Sequence, residues 1–166
     1  MNTSSALANL GLFKSLSAGE VQKLERLMSV EDYRKGHCFW KAGVKIRNDR
    51  RALFVILDGQ VEVSTESEDL THVPVARVLN AGAIFGLVSF FPVETHSATC
   101  RAATPVRAAS LARADYNKLC ESDVPLAASI IFAMARQLAK DVRACNSRLA
   151  AAIQPESPKT RPSKSA

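Results

Sequence analysis

The residues best placed to do chemistry in this chain lie between Gly82 and Ala102, in the run GAIFGLVSFFPVETHSATCRA. Phe85 and Gly86 precede a short apolar stretch, Pro92 breaks it, and a strand-like segment returns from Ser97 to Ala102. A glycine turn ahead of a short helix leaves that helix's first backbone N–H groups unpaired, which suits an anion. His96 and Ser97 arrive beside this turn in sequence and can close the site. Phe85, Gly86, Leu87, Val88, His96, Ser97 and Ala98 are therefore the candidate ligand-binding residues.

Other chemistries find less support. Cys38, Cys100, Cys120 and Cys145 are scattered without a CxxC pair, which fits reduced thiols in a cytoplasm. His37, His72 and His96 are isolated, with no HxH pair to start a cupin-type metal site. GxSxG, Walker A and HExxH motifs are absent, and Ser97 has no sequence-local base. The chain reads as a non-enzyme, with no catalytic residue, metal or cofactor.

The elements that must hold this run are legible on both sides of it. Ser17-Ala18-Gly19-Glu20 has the pattern of a capping box, with Leu16 and Val21 at staple positions. Val21, Leu24 and Met28 follow at helical spacing and predict a helix over 18–29. From Tyr33 the period changes. A strand ends in a turn at Lys35-Gly36, Cys38-Phe39-Trp40 forms a short strand, and 41–51 is a basic loop. A buried strand over 52–57 turns at Asp58-Gly59 into an alternating strand over 60–64. An acidic turn, Glu66-Ser67-Glu68-Asp69, precedes a strand over 73–79, and a last strand follows over 106–111. Many short strands joined by tight turns predict a mainly β domain, a sandwich or roll with flanking helices.

The C-terminal part is helical again. A short helix starts at Asp115, and Pro125 opens a long helix that runs to about Gln154. Ile131, Ala135, Leu138, Val142, Cys145, Leu149 and Ala152 repeat at spacings of four and three, as in a coiled-coil seam. Such a stripe packs on its own domain or pairs with a second chain. A helix this long outruns one small domain. Its first half is expected to cover the roll and its second half to form a homodimer, with Leu138, Val142, Cys145 and Leu149 at the seam.

The run FGLVSFFPVETHSATCRA resembles the phosphate-binding cassette of the cyclic-nucleotide-binding domain family, in its catabolite activator-like branch. LFVILDGQVEV resembles that family's strand–glycine–strand hairpin, and YRKGHCFWKAG its earlier Lys-Gly turn. The resemblance covers 12–153 and implies a jelly-roll-like β-roll with a long dimerising helix. In the family a cassette glutamate accepts from the ribose hydroxyl, and an arginine pairs with the cyclic phosphate. Leu87 and His96 stand at those two positions. Hydrogen bonds to charged groups are worth about 1.5–3 kcal/mol each, so losing two implies roughly 10²–10⁴ in affinity. Aligning Met134-Ala135-Arg136 with the family's long helix places Asp141 and Val142 where polar groups meet the base, making Asp141 a further candidate ligand residue.

What the resemblance implies is a regulatory sensor module with a degenerate cassette and weak or altered nucleotide binding, acting through a partner protein. The alternative is a ligand-independent protein-interaction platform on the same fold, using the basic loop or the basic C-terminal helix. The residues after Ile153 are too few for the branch's helix-turn-helix, so sequence-specific DNA binding is not expected. Cluster-binding sensors of the wider family use N-terminal cysteines, and residues 1–37 contain none.

Composition agrees with a cytoplasmic module. The chain has 166 residues, 47% hydrophobic and 23% charged, which suits one globular domain with a tail. No apolar run reaches the length of a membrane span, and the N-terminus lacks the pattern of a secretory signal. The net charge of +6 sits mostly in the last helix and tail, where seven basic residues face Asp141 and Glu156 alone. A solvated helix face is the ordinary reason for such a charge run. The expected organisation is a flexible 1–11, a helix plus β-roll over 12–124, the long helix over 125–154 and a disordered 155–166.

Overall fold

The computed structural model describes Phe13, residues 16–65 and residues 75–153. The expected flexible N-terminus, the acidic turn, His72, the first residues of the strand begun at Val73 and the expected disordered tail lie outside these residues. Ser17 caps α1 (Ala18–Leu27): its Oγ accepts from the Glu20 N–H at 3.3 Å, and the Glu20 carboxylate accepts from the Ser17 N–H at 2.8 Å. Leu16 and Val21 are both buried, as a hydrophobic staple requires. The helix stops short of the expected end at residue 29. Met28 is already extended, because β1 (Ser29–Tyr33) begins pairing at Ser29.

The strands among the described residues follow one design. Besides β1 they are β2 (Cys38–Trp40), β3 (Ala52–Asp58), β4 (Val61–Thr65), β5 (Val75–Leu79), β6 (Ile84–Phe85), β7 (Thr99–Ala102) and β8 (Val106–Ala112). They form two antiparallel four-stranded sheets, ordered β1-β8-β3-β6 and β2-β7-β4-β5. Strand β3 explains the continuous apolar run of its sequence. Leu53, Val55 and Leu57 face a core shared with the helices, while Ile56, with Phe54 beside it, faces the core between the sheets. Strand β8 divides the same way, with Ala109 and Leu111 on one side and Val106 and Ala108 on the other. Alternation with period two thus builds two cores from one strand.

The basic stretch over 41–51 is more structured than a loop. Lys45 bridges Thr95, the buried Ile46 donates its N–H to Glu94 O at 2.8 Å, and Asn48–Arg50 forms a 3-10 turn. Among the described residues the other α-helices are α2 (Leu87–Phe90), α3 (Arg113–Ser122) and α4 (Val124–Ile153). Asp123 starts α4 by accepting the Leu126 N–H at 3.2 Å, and it also pairs with Lys23 of α1 at 2.6 Å. The Tyr116 hydroxyl donates to Ala127 O at 3.0 Å and ties α3 to α4. Leu126, Ala127, Ile130, Ala133 and Met134 bury the first half of α4 against the roll. From Val142 to residue 151 the described side chains are exposed. No described helix is long and apolar enough to cross a membrane.

The β3–β4 hairpin fixes how the two sheets meet, and it depends on Gly59. Its φ is +84°, and a Cβ there would lie 2.1 Å from Pro105 O. Gly43 has φ +73° but open space around it. Gly59→Ala is therefore expected to cost about 2 kcal/mol or more in chemical denaturation, and Gly43→Ala about 1 kcal/mol. Equal losses would show that the contact with Pro105 imposes nothing.

Candidate functional site

Gly86 launches the site. It stands between β6 and α2 with φ +82°, and a Cβ there would lie 2.6 Å from Ala52 O and 3.2 Å from Trp40. Any other residue would push α2 off the sheet. No side chain caps α2, so its first N–H groups are left to the space beside it. That space is a cavity of about 280 Å³.

The structure gathers most of the expected residues around this cavity. Phe85, Gly86, Leu87, Val88, Ser97 and Ala98 line one side, and Leu138, Asp141, Val142 and Cys145 line another from α4. Three of the four expected seam residues thus border the cavity, while Leu149 stands beyond it, exposed. Leu138 also packs partly against the core of its own chain. Asp141 accepts a hydrogen bond from Gln137 Nε2 at 3.1 Å.

Leu87 and His96 are placed differently with respect to the cavity, which Leu87 lines and His96 does not. Leu87 is only 6% exposed and belongs to the core that also holds Phe90, Leu24 and Met134. His96 does not line the cavity. Its ring stacks on Trp40 with centroids 5.0 Å apart and planes 8° from parallel, and Nδ1 lies 2.8 Å from Ser89 Oγ. Burial lowers the His96 pKa below its ordinary value, and the nearby Arg51 charge lowers it further. The imidazole is thus neutral at neutral pH.

Arg51 braces the segment between them. Its Nη1 donates to Ser89 O at 3.1 Å and Phe91 O at 2.5 Å, and its Nη2 to Val93 O at 2.6 Å. These carbonyls lie at the end of α2 and in the loop after it, where a cation is favoured.

Several wall residues escaped the sequence reading: Trp40, Val63, Arg77, Leu79 and Cys100. The signal for three of them was period two. Arg77 and Leu79 share a face of β5, and Arg77 sits opposite Val63 on β4. Arg77 and Asp141 are the charged side chains of the wall. Burial, with a smaller contribution from Cys38, pushes the Cys100 thiol up to about 12, which keeps it protonated.

Residues 30–123 match the cyclic nucleotide-binding domain family. The chain is 32% identical over 114 residues to a cGMP-dependent protein kinase of Caenorhabditis elegans, spanning 68% of this chain and 14% of that one. Its fold is similar to that of a cyclic nucleotide-binding domain from Methylobacillus flagellatus, with TM-score 0.78 and 22% identity over 93% of this chain and 84% of the other. It is also similar to the catabolite activator protein of Thermus thermophilus, with TM-score 0.68 and 24% identity over 84% of this chain and 61% of that one.

Proposed function

Because the chain belongs to the cyclic nucleotide-binding domain family, we propose that it is a non-catalytic regulatory module whose cassette is degenerate. In this reading it binds cyclic nucleotide weakly, or takes another ligand, and signals through a partner protein. The observation that carries it is the fate of two side chains: Leu87 is spent in the core, and His96 is held neutral against Trp40 and Ser89. Neither can supply the acceptor or the cation that a ribose and a cyclic phosphate ask for. What the cavity still offers is the open N–H end of α2, the Ser97 hydroxyl, Arg77 and Asp141. Backbone donors and one lateral arginine keep some affinity for an anion, and the apolar wall suits a planar base. No cofactor belongs to this reading.

The module also acts as a cytoplasmic homodimer in this reading. The exposed stripe of α4 supports it and includes Val142, Cys145 and Leu149 of the expected seam. Phe132, Val142 and Leu149 are 64%, 57% and 58% exposed, and Ala135 and Ala139 stand between them at spacings of three and four. Apolar side chains left in water along one face favour a second copy of the same helix.

Restoring the charged pair tests the cassette. Leu87→Glu with His96→Arg should raise cAMP affinity at least about tenfold by calorimetry, since each new bond to a charge is worth about 1.5–3 kcal/mol before its burial cost. Tight cAMP binding by the wild-type chain would overturn the degenerate-site reading. A folded double variant with no gain would do so in favour of an interaction platform.

Leu149→Lys tests the dimer without touching the cavity. The wild-type chain should sediment as a dimer at micromolar concentration and the variant as a folded monomer. A monomeric wild type would contradict the pairing.

A further inference from the structure

A second cavity of about 300 Å³ shares no lining residue with the first and is walled mainly by Asn48, Arg51, Phe90, Arg113, Ala114 and Asn117. Its polar groups are arranged so that acceptors are used up and donors remain. Asn48 Oδ1 accepts from Arg51 Nε at 3.1 Å, and Asn117 Oδ1 accepts from Arg113 Nε at 3.0 Å. Both amide Nδ2 groups are thereby left as donors. Arg113 gives Nη1 to Phe90 O at 3.2 Å and rests over the rings of Phe90 and Tyr116, while its Nη2 meets no acceptor among the described residues. Arg51 is largely committed to the cassette carbonyls and contributes mainly its charge. Ala114 lies in the first turn of α3, a ten-residue helix that no side chain caps; the Arg113 N–H donates to Arg51 O at 2.8 Å, and Asp115 of the same turn pairs with Lys118 at 2.8 Å. No aspartate or glutamate among the described residues lines this cavity.

Two permanent cations and leftover amide donors from opposite walls, beside a helix start that no side chain caps, describe a receptor for a polyatomic oxyanion. We propose that this cavity is a binding site for a phosphate group, held by Arg113 and the amides of Asn48 and Asn117 in the field of Arg51. The group can arrive as free phosphate or as a phosphomonoester on a larger molecule, and the recognition chemistry is the same. The site is independent of what the first cavity binds, so its test stands apart from that reading.

The full chain is titrated calorimetrically with inorganic phosphate and, separately, with O-phosphoserine, at ionic strength matched with chloride. Saturable binding of at least one is expected, in the millimolar range or tighter. Binding of inorganic phosphate alone points to a free ion, and tighter binding of phosphoserine to a phosphorylated partner; both support the site. Asn117→Asp keeps an acceptor for Arg113 Nε, so the fold is retained, but it places a carboxylate on the wall. It should weaken binding at least about tenfold. Arg113→Gln should do the same, and the aspartate variant decides the matter if the glutamine variant does not fold. No saturable binding to the wild-type chain overturns the proposal. So does binding that survives Asn117→Asp and is lost in Arg77→Gln, because the anion then occupies the first cavity.

Discussion

The approach of Gly86 to strand β3 is the constraint on which this structure rests. With φ +82° and room for no Cβ beside Ala52 O, the chain turns straight from β6 into α2. That turn sets the N–H end of α2 at the rim of the first cavity and sends Phe90 into the core beneath. Phe85, just before it, stacks on Phe54 with centroids 4.9 Å apart and planes 16° from parallel. Aromatic packing on one side and the glycine on the other hold the cassette in a single position.

Two arginines fasten the segment that follows Gly86. Arg51 and Arg113 are not ligands of the first cavity; between them they donate to the carbonyls of Ser89, Phe90, Phe91 and Val93. The loop after α2 is thus fastened from within by permanent cations. The positive charge that lowers the His96 pKa is one of these, so the same guanidinium that braces the loop also discourages a charged imidazole.

Much of this was legible in the sequence because it rests on local rules. The capping box at Ser17, the turn at Gly59, the alternation in β3 and the start of α4 near Pro125 each follow from a few neighbouring residues. The cassette frame was legible for the same reason. Less visible were contacts between residues distant in the chain. Arg51 reads as one charge in a basic loop until Ser89 to Val93 folds over it. Arg77 reads as an outward strand residue until α4 crosses the sheet and a cavity forms between them. On α4 Leu138 reads like its neighbours in the stripe, yet it packs partly against the core of its own chain, while Phe132, Val142 and Leu149 stay exposed. Periodicity gives a helix its stripes, but neighbours decide which stripe stays in water.

On the proposed reading His96 packs against Trp40 and Ser89 and takes no part in holding a ligand. That reading is tested most directly by following the His96 imidazole by NMR through a pH titration, with and without a large excess of cAMP. The folded pKa is lowered, so the ring should titrate below about 6.5, the ordinary histidine value, and remain neutral at pH 7 in both samples. A His96 pKa that cAMP raises above neutrality would mean that the ring leaves Ser89 and pairs with the phosphate as a cation, contradicting the account.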